Sequence, residues 1–306
     1  MKFNLSALAL GITLAFGASS AMAANTATVN QDGSYQLSHV DQNDNWSGTA
    51  SVTQHGSNNQ SDIDQWDNGT VSATVYQDGY FNDAAISQTR NWNASATINQ
   101  YNRFHDARID QVDNFDASAT ITQYGENNDG FITQQHGWTQ NATIFQGSGS
   151  ERNYASIEQG KYNNSADIEQ YGKKNTATVD QRGTEFWAAV FGARNDATVY
   201  QNGENLMADV DQVGAYNLAS VSQTGDRNTA TVNQERSGYA HGLNEAFVVQ
   251  SGSKNLADIR QDGSNLYAST TQSGSNNYAS TIQTGSNNTA YTTQAGYNQT
   301  SFIVQH

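Results

Sequence analysis

The stretch that decides the fold is QSGSKNLADIRQ at 250–261, in which one Gln opens the unit and the next closes it 11 residues later. Ala257, Ile259 and Gln261 alternate with other residues, which is the period-two pattern of a strand with one buried face. Gly252 and Asn255 fall in the short polar stretch before that strand, where a turn is expected. The segment therefore predicts a tight corner followed by a short β-strand.

The same unit recurs along almost the whole chain. From Gln31 to Gln146 the Gln returns at spacings that alternate between 11 and 12 residues, and from Gln250 to Gln305 the spacing is uniformly 11. If a degenerate unit centred on Gly192 is included, the chain holds 25 units. A fixed short period indicates a repeat architecture rather than a globular domain.

An odd period cannot keep one face buried along a straight strand, so every unit needs a corner that resets the pleat. Two such strands bury little alone, but stacked on their neighbours they form a β-solenoid with about 4.8 Å between equivalent residues. The predicted fold class is therefore all-β: a solenoid of about 25 units with two strands per turn, parallel, in register and amyloid-like. Gly56 and Asp67 represent two kinds of corner, which alternate in a 23-residue turn that tightens to 22 after Gln159.

The inward Gln and Asn side chains are predicted to form amide ladders along the solenoid axis, around a thin core of Ala, Val and Ile. The ladder positions are Gln31, Gln54, Gln77, Gln100, Gln123, Gln146, Gln170, Gln201, Gln223, Gln250, Gln261, Gln272, Gln283 and Gln294, with Asn217, Asn228, Asn255, Asn277 and Asn288.

The chain is acidic, with a formal net charge of −15 and 36% hydrophobic residues, so a single unit cannot offset its own ordering entropy. This charge opposes nucleic-acid binding, which needs a basic surface. Asp41, Asp64, Asp110 and Glu158 each precede the Gln of their unit and are expected on the solvent face. Stacked like charges repel, so we predict that these carboxylates act as gatekeepers that slow association. A solvated acidic face is favoured over a cation site.

The amino terminus predicts export. Lys2 precedes an apolar run at 7–16, and AMA follows at 21–23, which together are typical of a secretory signal peptide cleaved after Ala23. The chain therefore divides into a signal peptide, 1–23, and a repeat region, 24–306. No later apolar segment could span a bilayer as a helix, so an exported product that is not membrane-embedded is expected.

The sequence lacks the common motifs for catalysis, phosphate binding and calcium binding. There is no nucleophile elbow, phosphate loop or calcium-type Gly-Asp nonapeptide, so neither an enzyme nor a cofactor is expected. The six His residues lack the spacing of structural zinc sites, and we expect them to face solvent rather than bind metal. They are His39, His55, His105, His136, His241 and His306.

The run Gln250, Gly252, Asn255, Ala257 and Gln261 resembles the curlin repeat of bacterial curli subunits, and the resemblance covers essentially the whole repeat region. It implies a functional amyloid secreted across the outer membrane of a Gram-negative-type bacterium. Such a subunit polymerises with itself into surface fibres of the biofilm matrix. The resemblance also implies a curli nucleator subunit and outer-membrane secretion machinery as partners, together with matrix or host surfaces. Major subunit, nucleator and long paralogue all remain open.

Two other functions compete with a fibre subunit. An ice- or surface-binding solenoid would use outward hydroxyl ranks, although Thr is also simply a good exposed strand residue and the ranks become patchier after Gln146. The ranks pair Thr26 with Thr28, Thr49 with Ser51, Ser72 with Thr74, Ser95 with Thr97, Ser118 with Thr120 and Asn141 with Thr143. A monomeric adhesin stalk would need capped ends, whereas the repeat pattern continues to Gln305. Outward aromatic residues, including Trp66, Tyr76 and Tyr124, are candidates for contacts with matrix partners.

Overall fold

The computed structural model describes residues 12–16, 24–183, 194–235 and 243–306. Their regular secondary structure is entirely β, in 25 strands that form two parallel sheets. None of these residues belongs to a helix long and apolar enough to cross a membrane.

The sheet that we call the odd sheet contains β1 Ile12–Phe16, β3 Leu37–Asn43, β5 Gln60–Trp66, β7 Asp83–Thr89, β9 Asp106–Val112, β11 Asp129–Trp138, β13 Tyr154–Tyr162, β15 Thr176–Arg182, β17 Met207–Val213, β19 Thr229–Glu235, β21 Leu256–Ser264, β23 Tyr278–Ser286 and β25 Thr300–Gln305. The even sheet contains β2 Thr26–Ser34, β4 Ser47–Ser57, β6 Thr70–Tyr80, β8 Ala94–Arg103, β10 Ser118–Gln123, β12 Asn141–Gln146, β14 Ser165–Lys173, β16 Asp196–Glu204, β18 Leu218–Asp226, β20 Glu245–Ser253, β22 Tyr267–Ser275 and β24 Thr289–Tyr297.

The chain alternates between the two sheets, and each strand pairs in parallel with the strand two places later. Equivalent residues of successive turns are register partners: Ala219 pairs with Ala246, and Gln223 with Gln250. This is a β-solenoid with two strands per turn, so the predicted fold class is confirmed.

The core lies between the sheets as a thin layer of small and branched side chains. In β6 the inward Ala73 and Val75 are fully buried, with 0% and 1% exposed, while Thr74 between them faces outward. Each fully buried Val or Ile contributes about 1.5–3 kcal/mol, so a strand gains little by itself and stacking must supply the rest.

The two kinds of corner are present, and both use left-handed backbone. Gly56 has a φ of 103°, and a Cβ added there would lie 2.0 Å from the carbonyl oxygen of Gly79 in the next turn. At the other corner Asp67 has a φ of 54°, a conformation that Asp tolerates better than most residues with a Cβ. The glycine corner is thus required by stacking as well as by φ.

The predicted unit centred on Gly192 lies outside the described residues. Among the described strands, β15 pairs directly with β17, and β14 with β16. The described repeat comprises the twenty-four strands from β2 to β25.

Part of the predicted signal peptide forms a strand. β1 pairs in parallel with β3, with Ile12 opposite Ser38 and Phe16 opposite Gln42. The rest of the predicted leader, including the expected cleavage position after Ala23, lies outside the described residues. The boundary at residue 23 stays a prediction.

Candidate functional site

Two unbroken columns of Gln side chains run the length of the solenoid, one along each sheet. In the even sheet, Gln31 Nε2 donates to Gln54 Oε1 at 2.7 Å, and equivalent bonds of 2.7–3.0 Å connect every later strand to Gln294. In the odd sheet, bonds of 2.7–2.9 Å lead from Gln42 to Gln305. We call these columns the Gln ladders.

From Gln42 onward, each ladder amide also joins the two sheets. The second N–H of Gln54 donates to the carbonyl oxygen of Leu37 at 3.1 Å, and that of Gln65 donates to the carbonyl oxygen of Thr49 at 3.1 Å. Because a carbonyl can only accept, this bond fixes which end of each amide is the nitrogen. A buried amide with all its bonds made is stable, whereas one left unsatisfied costs about 1–3 kcal/mol.

All the Gln positions predicted for the ladder lie in these two columns. Gln261 and Gln283 belong to the odd-sheet ladder, and the other twelve predicted positions belong to the even-sheet ladder. The odd-sheet members between Gln42 and Gln234 were visible in the same periodic series and have the same geometry.

The five predicted Asn positions behave differently from the Gln. Asn228 donates from Nδ2 to the carbonyl oxygens of Thr224 and Gly252, and its Oδ1 accepts the backbone N–H of Asn255. Asn217, Asn255 and Asn277 are likewise buried at corners, and the half-buried Asn288 donates to the carbonyl oxygen of Thr284. These Asn side chains satisfy the turning backbone instead of forming a side-chain amide ladder. The Asn side chain is one methylene shorter than that of Gln, so at a corner its amide lies within hydrogen-bonding distance of the nearby backbone groups.

A second set of corner Asn residues was not predicted. Asn45, Asn68, Asn91 and Asn114 recur every 23 residues and are buried, and each Nδ2 donates to the carbonyl oxygen of a ladder Gln in the next odd strand. Their constant spacing was the sequence signal that could have identified them.

The Gln amides at the two ends of each ladder present complementary hydrogen-bonding groups. At the amino-terminal end, Gln31 Oε1 and Gln42 Oε1 are buried, and neither accepts a hydrogen bond from a described residue. At the carboxyl-terminal end, Gln294 Nε2 and Gln305 Nε2 donate to Tyr278 and Thr289 carbonyl oxygens, and neither donates to another Gln among the described residues. One end therefore presents acceptors and the other presents donors.

The odd sheet carries the acidic face. Asp41 and Asp64 are stacked register partners, and Asp110 and Glu158 lie at the same position on later strands; none of the four is buried. Desolvation, with the neighbouring Asp62 and Asp41, raises the pKa of Asp64. Asp110, in contrast, is paired with Arg108 at 2.8 Å. The predicted gatekeepers are thus outward, but they differ in how far their charge is compensated.

One group of His and Asp side chains on this face has ligand atoms within 4.8 Å of one another: His39, Asp62 and Asp64. Their side chains are at least partly exposed, and strand stacking alone brings Asp62 opposite His39. The arrangement is that of a solvated acidic face.

The expectation that every His faces solvent is wrong for His105, which is 1% exposed. It occupies a corner Asn position between Asn82 and Asn128, its Nε2–H donates to the Tyr101 carbonyl oxygen at 2.8 Å, and its Nδ1 accepts the Asn128 N–H at 3.3 Å. The imidazole therefore makes the same two kinds of bond as an Asn amide. His39, His55, His136 and His306 are half-buried or exposed, and His241 lies outside the described residues.

The outward face of the even sheet is chemically different from the acidic face. The predicted Thr and Ser ranks are stacked in register on β2 to β12, for example Thr49 opposite Ser72 and Ser51 opposite Thr74. Of the outward aromatics, Tyr76 and Tyr124 lie half-buried on the even sheet, and Trp66 is 56% exposed at the end of β5.

Comparison with known proteins identifies the repeat. A family model described as the curlin associated repeat matches residues 151–183, 203–235 and 263–296. No curated protein matches the chain. Each matched segment holds three consecutive ladder Gln residues, and the unmatched strands continue the same ladders. These three segments of the chain therefore match the curlin repeat.

Proposed function

We propose that this chain is a secreted structural subunit that self-assembles by templated β-strand addition into extracellular, curli-like amyloid fibres. The fibres would serve in biofilm matrix, adhesion and aggregation, and the activity is structural rather than enzymatic. A nucleator subunit and outer-membrane secretion machinery are the proposed partners besides further copies of the chain. The observation that carries the proposal is the complementary pair of open ladder ends.

The ladder ends suggest how one chain adds to another. β24 and β25 are edge strands of the two described sheets, and a new chain could pair its β2 with β24 and its β3 with β25. In that register the Nε2 groups of Gln294 and Gln305 meet the Oε1 groups of the incoming Gln31 and Gln42. The junction would then repeat the bonding found inside each chain.

The leader would affect this junction if it were retained. β1 occupies the edge of β3, and Phe16 is the register partner of Gln42. Phe has no amide, so it cannot extend a Gln ladder. Removal of residues 1–23, as proposed for the signal peptide, would free the β3 edge for another chain.

The test is to remove the two terminal donors. In the chain 24–306, Gln294→Leu with Gln305→Leu should slow elongation from preformed seeds by about tenfold, because each junction would leave buried acceptors unsatisfied. Val304→Thr, an outward change on the same strand, is the matched control. Elongation of the double variant at the rate of the control would refute the proposed junction, and a wild-type chain that forms no fibres would refute the function.

The hydroxyl ranks support a second candidate function, binding of ice or another ordered surface. The observation in its favour is that outward Thr, Ser and Asn on β2, β4, β6, β8, β10 and β12 are stacked in register with no charged residue among them. Thermal hysteresis of the soluble chain, abolished by Thr74→Lys, would favour it; freezing without hysteresis would exclude ice as the ligand.

A further inference from the structure

A column of aromatic rings runs along the even sheet beside the Gln ladder. Its members occupy six consecutive even strands or their ends, and neighbouring ring centroids lie 4.5–6.0 Å apart. We define this aromatic column as Tyr76, Tyr101, Tyr124, Phe145, Tyr171 and Tyr200. All six side chains are half-buried, so the sheet holds them in place while one side remains open to solvent.

One pair in the column differs from all the others. The rings of Tyr101 and Tyr124 are stacked, with centroids 4.5 Å apart and planes within 4° of parallel, whereas the remaining neighbours are tilted by 45–58°. Each of the two residues directly follows a ladder Gln, Gln100 or Gln123, and the bond between those Gln residues fixes the spacing.

We propose that Tyr101 and Tyr124 form an oxidative cross-linking site, at which a one-electron oxidant joins the two rings as dityrosine and staples adjacent turns of the solenoid. The proposal rests on the fold alone and does not depend on fibre assembly.

The chemistry is complete once the oxidant is supplied. Each phenol loses one electron to the oxidant and its phenolic proton to water, which gives two phenoxyl radicals side by side. The radicals combine to form one carbon–carbon bond between the Cε atoms next to the two hydroxyl groups. The hydrogen on each bonded Cε then moves to its oxygen, so the net change is the loss of two protons and two electrons.

The column itself restricts which rings can couple. On the carboxyl-terminal side the neighbour of Tyr124 is Phe145, which has no phenol and cannot form a phenoxyl radical. On the other side of the pair, the ring centroids of Tyr76 and Tyr101 are 5.5 Å apart, but the two ring planes are tilted by 45°. Tyr171 and Tyr200 also lie on adjacent turns, but their ring centroids are 6.0 Å apart and their ring planes are tilted by 53°. That second Tyr pair is a control within the same chain.

The position of the cross-link determines what it does. It would join β8 to the end of β10, in the part of the chain where turns are 23 residues long. Those turns could then no longer separate one at a time. Oxidation would thereby convert a stack held by hydrogen bonds into one that resists denaturant.

The experiment uses the chain 24–306 in its folded state, with tris(bipyridyl)ruthenium(II), persulfate and visible light as the one-electron oxidant. Persulfate accepts the two electrons and becomes two sulfate ions. Trypsin then separates the two tyrosines, because Tyr101 is the only Tyr in 91–103 and Tyr124 the only Tyr in 109–152. Mass spectrometry should find these peptides joined with the loss of two hydrogen atoms, at least fivefold more often than the Tyr171–Tyr200 product.

Two controls make the result decisive. Tyr124→Phe retains the ring but should abolish this product, and oxidation in concentrated guanidinium should remove its preference over the Tyr171–Tyr200 product. Mixing chains labelled with ¹⁴N and ¹⁵N shows whether the joined peptides come from one chain, as the geometry requires. Equal yields from the two Tyr pairs in the folded chain, or joined peptides of mixed isotope content, would overturn the proposal.

Discussion

At the scale of single residues, the solenoid depends on whether each inward polar group finds a partner. His105 is informative because it makes the bonds of a corner Asn only while its imidazole is neutral. Burial lowers the pKa of His105, against the opposing effect of its backbone hydrogen bonds. Protonation would place a second N–H against the Asn128 N–H, which Nδ1 now accepts.

We predict that His105→Asn removes a pH dependence from stability. Because the pKa of His105 is lower in the folded chain than in the unfolded chain, the neutral imidazole stabilises the fold above about pH 6.5, and this contribution is lost as pH falls through the folded value. Wild type and variant should therefore unfold at similar denaturant concentrations at pH 8, and wild type at a lower one at pH 5. His136→Asn, at an exposed corner, is the control. A difference that does not change between these pH values would contradict this role.

Buried Thr residues weaken the carboxyl-terminal turns. Thr270 and Thr292 occupy the inward position that Val248 fills in the preceding even strand, and they are 1% and 4% exposed. Their hydroxyl oxygens are buried, and no described residue hydrogen-bonds to them. A buried hydroxyl without a partner is a net cost compared with a methyl group of the same shape.

Thr270→Val should accordingly raise the free energy of unfolding by about 1–2 kcal/mol. The matched control is Thr271→Val, the adjacent outward position in β22, which should change it by less than about 0.5 kcal/mol. Denaturant titration of the folded chain measures both. A Thr270 variant no more stable than its control would show that the hydroxyl is satisfied in solution.

At the scale of strands and corners, charge is distributed unevenly. Corner charges are paired between adjacent turns, as in Arg90 with Asp113 and Arg103 with Glu126, both at 2.6 Å. On the flat odd-sheet face, stacking brings Asp64 next to Asp41, while Asp62 lies in the same strand. Accordingly the Arg90 hydrogen bond lowers the pKa of Asp113, whereas burial and neighbouring carboxylates raise that of Asp64.

Asp64→Asn and Asp113→Asn change the net charge equally, but they should affect the assembly lag differently. Asp64→Asn should shorten the assembly lag at neutral pH and low salt, because it removes an unfavourable stacked charge. Asp113→Asn should lengthen the lag or leave it unchanged, since it removes a favourable pair. Because the pKa of Asp64 is raised in the folded chain, its protonated form stabilises the fold below about pH 4, and this contribution is lost as pH rises through the folded value. Below about pH 4 the Asp64 side chain is neutral, so Asp64→Asn should no longer shorten the lag. Equal lags for the two variants at neutral pH would show that net charge alone controls nucleation.

The sequence predicts some elements of this fold and not others, for identifiable reasons. Strand positions and inward Gln follow from a strict period, because side-chain direction in a strand depends only on parity. The bonds of corner Asn and His105 depend on which backbone carbonyl the corner presents, which spacing does not specify. The direct ladder bond from Gln181 to Gln212 could not be predicted either, because 31 residues separate the two instead of the usual 22 or 23.

At the scale of the whole molecule, the solenoid repeats the same stacking from one described end to the other. Both sheets are parallel from β2 to β25, their Gln residues are register partners throughout, and all ladder bonds point from donor to acceptor towards the carboxyl terminus. A turn added from another copy would form the same bonds as the turns within the chain, which is the basis of the proposed self-assembly. Self-assembly along the solenoid axis is thus the central claim.

Fibre diffraction combined with cryo-electron microscopy of the assembled chain 24–306 tests that claim most directly. We expect a reflection at about 4.8 Å along the fibre axis, and a map in which both Gln ladders continue through every junction between chains. A folded chain that stays monomeric at high concentration, or fibres whose strands do not lie perpendicular to the axis, would contradict the account.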